Sequence, residues 1–387
     1  MPTPVTRLSS VRLASSLFES WFSSHPAVAA SAPGRVNLIG EHTDYNGGPV
    51  LPLAVERRTA VAAAGEDGWF FVSSLDGTVR GVEIERPLRQ DWTDYLVGVV
   101  RELRAIGAAP SGARVAVAST LPVGAGLSSS AALTVAAAKA LSLLAGRRLT
   151  APQLVEVAYR AEHDQVGVRC GRMDQTIAAH AARGSALLFE TGSGALHRVP
   201  FTGPLWVVET GVSHRLSGGE LNQRRRECEE ALAMCRGLWP GLVHLADLST
   251  DDLRTVTARL PADFAARVRH VVTETHRTRV AADALARGDL AQVGWLLVEG
   301  HESLRTDYRS SLPEADAIVE FAMDHGAYGA RLTGAGWGGA VVVLTAEHGS
   351  ARVVAEILRG FADRFRRTPA VWSTRAASGV RRETVMA

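Results

Sequence analysis

Lysine is nearly absent from this chain of 387 residues, with Lys139 the only one against 41 arginines. Its position in Ala138-Lys139-Ala140, inside a stretch that reads as helix, leaves no G-K-S or G-K-T sequence. A Walker A loop is therefore excluded, and so is the protein-kinase class with its catalytic-site lysine. Cysteine is also scarce. Cys170, Cys228 and Cys235 form no CxxC pair, and an odd count argues against a disulfide framework, which fits a reducing cytoplasm. No uncharged apolar run is long enough to span a bilayer, and the N-terminus lacks the apolar h-region of a secretory signal. A strong excess of charge of one sign is missing too. A formal net charge of +2, with basic residues spread along the chain, gives no reason to expect nucleic acid or an anionic membrane as partner.

What remains is an ordinary globular composition, 46% hydrophobic and 21% charged, long enough for two or three domains. Residues 8–24 carry apolar side chains at helical spacing and predict a docking helix. Segments 28–37 and 48–64 read as strands flanking a charged loop, with further short strands at 69–74 and 81–84. Residues 91–106 read as a helix. Segment 114–120 is an apolar strand that runs into a Gly-rich stretch, and 128–145 reads as the helix that follows. Thr150-Ala-Pro-Gln153 resembles a capping box that opens a helix to about Asp164. Strands are expected at 205–209, 328–333 and 340–345, and helices at 219–236, through 250–325, and at 351–366. The Gly-, Ser- and Pro-rich stretch 192–204 suggests a boundary between domains 1–203 and 204–387. An α+β protein with a ligand between the two domains follows.

Three segments carry chemistry. Gly34-Arg-Val-Asn-Leu-Ile-Gly-Glu-His-Thr-Asp-Tyr45 packs a cation, two carboxylates, a histidine and an amide around two glycines. That suits a small ligand covered in hydroxyls and gripped from several sides. Carboxylates accept hydrogen bonds from adjacent hydroxyls, and His42 can donate or accept. A metal reading of His42 is poor, since no second histidine lies at ligand spacing. Pro122-Val-Gly-Ala-Gly-Leu-Ser-Ser-Ser-Ala131 joins strand to helix. Gly124 and Gly126 allow close backbone approach, free N–H groups and the helix dipole favour an anion, and Ser128, Ser129 and Ser130 add hydroxyls. A plain strand–helix turn capped by serine is the alternative. Gly334-Ala-Gly-Trp-Gly-Gly339 satisfies GxGxxG formally, but a strand follows it rather than a helix, so a dinucleotide site is rejected. It reads as a tight turn between two strands, near a phosphate or covering the site, with a simple hairpin as the alternative.

Together these segments resemble the GHMP kinases, and within them the galactokinase family. GRVNLIGEHTDY is similar to the galactokinase signature, PVGAGLSSSA to the superfamily's ATP motif and LTGAGWGG to its third motif, although Trp337 stands where that family usually has Phe. Gly171-Arg-Met-Asp-Gln175 resembles the family's Gly-x-Met-Asp-Gln. The resemblance implies a GHMP kinase fold: an N-terminal domain of ribosomal-protein type with a left-handed β-α-β unit, a ferredoxin-like C-terminal domain, and the sugar and nucleotide between them. It implies an ATP-dependent sugar 1-kinase of the cytoplasm, a monomer or weak homodimer. Asp174 looks like the base facing the anomeric hydroxyl, with Arg35 as its partner. Glu41, His42, Asp44 and Gly171 look like sugar ligands. Gly124, Gly126, Ser128, Ser129, Ser130 and Trp92 look like the ATP site, with Tyr95 near the adenine. Ser130 and Glu162 match the family's Mg²⁺-associated pair, two hard oxygens that suit an ion completed by phosphates and water.

One departure bears on specificity. The family's Ser/Gly-Glu-Tyr-Asn-x-Arg-Arg segment is here Gly219-Glu-Leu-Asn-Gln-Arg-Arg225. Leu221 removes a ring and a hydroxyl that the resemblance places at the sugar. A lost hydrogen bond costs about 0.5–1.5 kcal/mol net, and the corner gains room. The expected substrate is galactose or a galacto-configured larger or modified sugar, such as a heptose, an octose or a uronic acid. Alternatives are a non-catalytic sugar and nucleotide sensor, or a kinase of mevalonate, homoserine or another small alcohol. The sensor reading expects damage in the serine run or at Asp174, and both are intact. The small-alcohol reading leaves the Glu41-His42-Thr43-Asp44 cluster unexplained.

Overall fold

A computed structural model describes residues 9–122, 124–168, 170–212 and 219–385. Val123, in the first Gly-rich stretch, and Leu8, at the start of the expected docking helix, lie outside them. The largest sheet has six strands in the order Arg381–Glu383, Val28–Asn37, Pro52–Gly65, Ala113–Ser119, Trp69–Ser73, Arg80–Gly81. Its strands alternate by side-chain face, as a period of two requires. Ala29, Ala60, Ala62, Ala116 and Ala118 face helix Ser10–Phe22, where Ala14 and Phe18 cover them. Ala30, Ala32, Val61, Ala63, Val115 and Val117 face the other way, toward helices Thr93–Ala105 and Ser129–Leu144. The crossover from Trp69–Ser73 through Thr93–Ala105 to Ala113–Ser119 makes the sheet's parallel pair.

Helix Ser129–Leu144 is apolar nearly all round and buried along most of its length. Such a helix belongs in a protein interior, and its burial fixes the Gly-rich loop at its N-terminus. A second sheet, Gly329–Thr333, Ala340–Leu344, Leu205–Glu209, Val371–Thr374, is antiparallel throughout. One of its faces contributes Leu205, Val207, Val342 and Leu344 to a core shared with Val36 and Leu53 of the first sheet and with Leu38 just after its strand Val28–Asn37. This shared core brings the charged loop after Val28–Asn37 against the turn at 334–339. The mixed helix-and-sheet architecture is that of a two-domain α+β fold.

The differences from the sequence reading are local. The stretch 192–204, read as suggesting a domain boundary, holds a strand, Ala195–Pro200, in a hairpin with Ser185–Glu190. Its turn residues hid the alternation on either side. The last strand among the described residues, Arg381–Glu383, returns to the first sheet beside Val28–Asn37. The helix opened at Thr150 has the capping box but ends at Arg160. A π-helical turn, Ala161–Val166, carries the chain on, and such turns often mark functional positions.

Candidate active site

Strand Val28–Asn37 shifts register between Pro33 and Arg35 against Pro52–Gly65. A break of this kind re-aims a side chain, and here it sends Arg35 across to two segments far away in sequence. Its Nε donates to Asp174 Oδ1 at 2.8 Å and its Nη2 to Asp174 Oδ2 at 2.9 Å, a two-pronged pair. Its Nη1 donates to the carbonyl of Gly126 at 2.6 Å. Gly126 has φ +70°, which presents that carbonyl at little cost only because it is glycine. Arg35 thus ties the Gly-rich loop to the first turn of helix Met173–His180, where Asp174 sits.

Ser128 does not cap the helix it precedes. It has φ +57° and no side-chain capping bond; its hydroxyl instead donates to Asp174 Oδ2 at 2.6 Å. An ionised carboxylate has about four acceptor positions. Arg35 and Ser128 take two on Oδ2 and one on Oδ1, which leaves Oδ1 a lone pair for a further donor.

The charged loop stands across the cleft. Glu41 is buried, with Oε2 on Arg331 Nη2 at 2.5 Å and Oε1 accepting from the Gly334 N–H at 3.3 Å. Burial, with Glu274 nearby, pushes its carboxyl up to about 7 in spite of Arg331. Burial also opposes ionisation of Glu274, but Arg331 and Arg277 outweigh it and hold that group below the usual carboxylate value. His42 has φ +64°, stacks on Tyr308 at 4.2 Å between centroids and shares a 2.8 Å hydrogen bond between Nδ1 and the Tyr45 hydroxyl. Burial, reinforced by His270, keeps its imidazole neutral. Asp44 packs on Gly171: a Cβ at residue 171 would lie 1.9 Å from Asp44 Oδ2. Burial and the Asp174 carboxylate push Asp44 up to about 6.

Glu162 lies in the π-helical turn and is buried. Its Oε1 accepts from Thr134 Oγ1 at 3.0 Å and Gln175 Nε2 at 2.8 Å, and the Ser130 side chain also bonds it. Burial pushes it up to about 7, and among the described residues no cation pairs with it. Arg35, Glu41, His42, Asp44, Glu162, Gly171 and Asp174 open on one cleft with a volume of about 420 Å³. Gly124, Gly126, Ser128, Ser129, Ser130, Trp92, Tyr95 and Leu75 line it, and Leu221 lines it from the first turn of helix Glu220–Arg236. Every residue singled out from the sequence for the site therefore reaches this space. Among the described residues no group of three or more His, Cys, Asp or Glu is arranged to hold a metal ion by itself.

Sequence reasoning missed the support behind the loop. Arg331 is fully buried in strand Gly329–Thr333, and Glu274 is fully buried in helix Ala262–Ala286. The signal for Arg331 was an arginine in the middle of an apolar strand, since buried charge is the informative exception. Tyr308 and His270, which pack on His42, carried no such signal. Trp337, at φ +53°, donates its N–H to Ser310 and turns its ring edge toward His42 at 6.0 Å.

Comparisons with known proteins agree on the family. The galactokinase galactose-binding signature matches residues 16–65, the GHMP kinases N terminal domain matches 94–182 and the GHMP kinases C terminal domain matches 281–363. A galactokinase of Chloroflexus aggregans is 43% identical over 371 residues, covering 94% of this chain and 95% of the relative. The crystal structure of Lactococcus lactis galactokinase complexed with galactose superposes with a TM-score of 0.90 at 26% identity, covering 95% and 98% of the two chains. Mevalonate kinase of Methanococcus jannaschii, at 17% identity and a TM-score of 0.64 over 90% of this chain and 98% of that one, shares the fold.

Proposed function

This chain belongs to the galactokinase family of GHMP kinases and is an ATP-dependent sugar kinase, and from that premise we propose that it moves the γ-phosphoryl group of ATP to the anomeric C1 hydroxyl of galactose. The observation that carries this reading is the two-pronged Arg35–Asp174 pair, set between the Gly-rich loop and the Glu41-His42-Asp44 cluster. Phosphoryl transfer asks little covalent chemistry of a protein; positioning and charge stabilisation do most of the work. Asp174 Oδ1 has an acceptor position left for the hydroxyl proton. Arg35 keeps the carboxylate oriented and places positive charge where the transferring group develops negative charge.

Glu41, His42 and Asp44 are assigned to the sugar hydroxyls, with Gly171 keeping the space that Asp44 needs. The backbone around Gly124 and Gly126 and the hydroxyls of Ser128, Ser129 and Ser130 are assigned to the phosphates, and Trp92 with Tyr95 to the adenine end. Ser130 and Glu162 fit a Mg²⁺ ion: a buried carboxylate faced only by neutral donors lacks the positive charge that a divalent cation supplies. Two oxygens leave the rest of an octahedral shell to phosphates and water. When bound, that ion would neutralise charge on the phosphates.

A second reading is favoured by Leu221. An apolar side chain at the cleft wall, where the family has tyrosine, leaves room and no hydroxyl for a galacto-configured sugar with a longer chain, a heptose or octose. The carboxylates of Glu41, Asp44 and Asp174 weigh against a uronic acid, whose charge they would repel. ADP release measured over galactose, higher-carbon sugars and uronic acids, with Asp174→Asn as control, separates the readings. Galactose turned over at least as well as every extended sugar refutes the second. No turnover of any sugar bearing a free anomeric hydroxyl refutes both.

A further inference from the structure

We infer that Arg331 is a positioning residue for sugar recognition: clamped between the buried carboxylates of Glu41 and Glu274, it holds the loop that faces the sugar. Its Nη2 lies 2.5 Å from Glu41 Oε2 and its Nη1 2.8 Å from Glu274 Oε1, with all three side chains at 0–1% exposure. Glu274 in turn accepts the N–H of Gly40 at 2.9 Å. One guanidinium thus fixes the side chain of residue 41 and, through Glu274, the backbone of residue 40.

The surroundings are shaped for this arginine. A Cβ on Gly300, in helix Leu290–Ser303, would fall 2.4 Å from Arg331 Nη1. The same strand end grips the loop twice more. The Thr333 hydroxyl accepts from the Asn37 N–H at 2.9 Å and donates to the Asn37 carbonyl at 3.0 Å, and Gly334 N–H reaches Glu41. The Gly-rich turn after Thr333 therefore holds the charged loop as well as lining the cleft with Gly334 and Ala335. A buried ion cluster is weak support for stability, and apolar replacements of similar volume are often neutral. Two carboxylates held on one arginine beside a ligand loop are better explained by the need for a fixed anionic acceptor. Arginine suits this role, since its planar fork addresses two carboxylates at once and stays charged.

The inference rests on the assignment of Glu41 to a sugar hydroxyl, and a double-mutant cycle tests the two separately. Steady-state kinetics with galactose are measured on Glu41→Gln, Arg331→Met, Arg331→Lys and the Glu41→Gln/Arg331→Met pair, with thermal melting to confirm folding. The sugar KM should rise roughly tenfold or more in both Glu41→Gln and Arg331→Met, the scale of a lost charge-assisted hydrogen bond, with the KM for ATP within about twofold. Arg331→Lys, which keeps the charge but reaches one carboxylate, should fall between. In the Glu41→Gln background Arg331→Met should add little, because partners acting through one another are not additive. An unchanged sugar KM in Glu41→Gln defeats the Glu41 assignment and the inference with it. A raised KM in Glu41→Gln with an unchanged KM in folded Arg331→Met overturns the inference alone, as do fully additive losses. Should Arg331→Met not fold, Arg331→Lys in the same cycle carries the same two outcomes.

Discussion

Gly171 tests the sugar side of the cleft with the smallest possible change. Its φ is not left-handed, and the backbone accepts alanine. The added Cβ, however, would stand 1.9 Å from Asp44 Oδ2 and 2.8 Å from Asp44 Cγ. The carboxylate must retreat by about 1 Å, and a displacement of that size in a positioned group can cost on the order of 10²-fold in rate. What moves is the end of a short side chain rather than backbone, so stability should change little, within about 0.5 kcal/mol. Gly171→Ala is therefore predicted to lower kcat/KM for the sugar by ten- to a hundredfold, at an unchanged melting temperature and with the KM for ATP near that of the parent. Gly65→Ala, where a Cβ meets nothing within 4 Å, is the control. Coupled ADP release and a circular-dichroism melt read both quantities. A kcat/KM within threefold of the parent would show that Asp44 does not depend on the space at residue 171, or is not a sugar ligand.

Other expectations follow from the same geometry. Asp174→Asn should cut turnover by about 10²–10⁴-fold, the usual range for a general base, while sugar binding stays measurable by calorimetry; unchanged turnover contradicts its role. Leu221→Tyr should shift preference toward galactose over a longer sugar by roughly 2- to 12-fold, the worth of one hydrogen bond, and no shift in the ratio of kcat/KM values would remove Leu221 from the specificity argument. Glu162→Gln should raise the Mg²⁺ concentration for half-maximal velocity. The same variant should also change stability with pH. Glu162 is raised from 4.5 to about 7 on folding, so its contribution is full below pH 4.5 and lost as pH rises through 7. In metal-free buffer the melting temperature of Glu162→Gln should gain on the parent between pH 5 and 8; a constant difference would refute this. As the proposed sugar ligands, Asp44 and Glu41, raised to about 6 and 7, would accept sugar hydroxyls best when ionised, so the sugar KM should rise as pH falls from 8 to 6. A flat profile contradicts that reading.

Much of this site was legible because phosphate and sugar recognition need backbone shapes and charges that leave marks in sequence. Two glycines before a serine run announced the loop at 124–130, and charges packed around Gly40 announced the side of the cleft proposed to hold the sugar. Strand Val28–Asn37, buried at every position and closed by a sharp polar end, was read at its observed bounds. What stayed hidden depended on distance in the chain. Ser128 read as a phosphate-site hydroxyl, with a helix cap as the alternative, and only the fold brings Asp174 within reach of its hydroxyl. Arg331, Glu274 and Tyr308 come from three elements that no local pattern links. The hairpin around residues 191–194 was masked because its turn composition reads the same as that of a domain boundary. The end of the helix at Arg160 was missed because a π-helical turn keeps helical composition while changing its hydrogen bonding.

The central claim is that Arg35 and Asp174 act as one unit at the anomeric oxygen of the sugar. It is tested most directly by incubating galactose labelled with ¹³C at C1 with ATP and Mg²⁺ and recording ¹³C and ³¹P spectra of the product. The parent protein should give a C1 resonance split by phosphorus, and Asp174→Asn and Arg35→Met should give almost none. Phosphorus at another carbon, or the same C1 product formed as fast by either variant, would contradict the account.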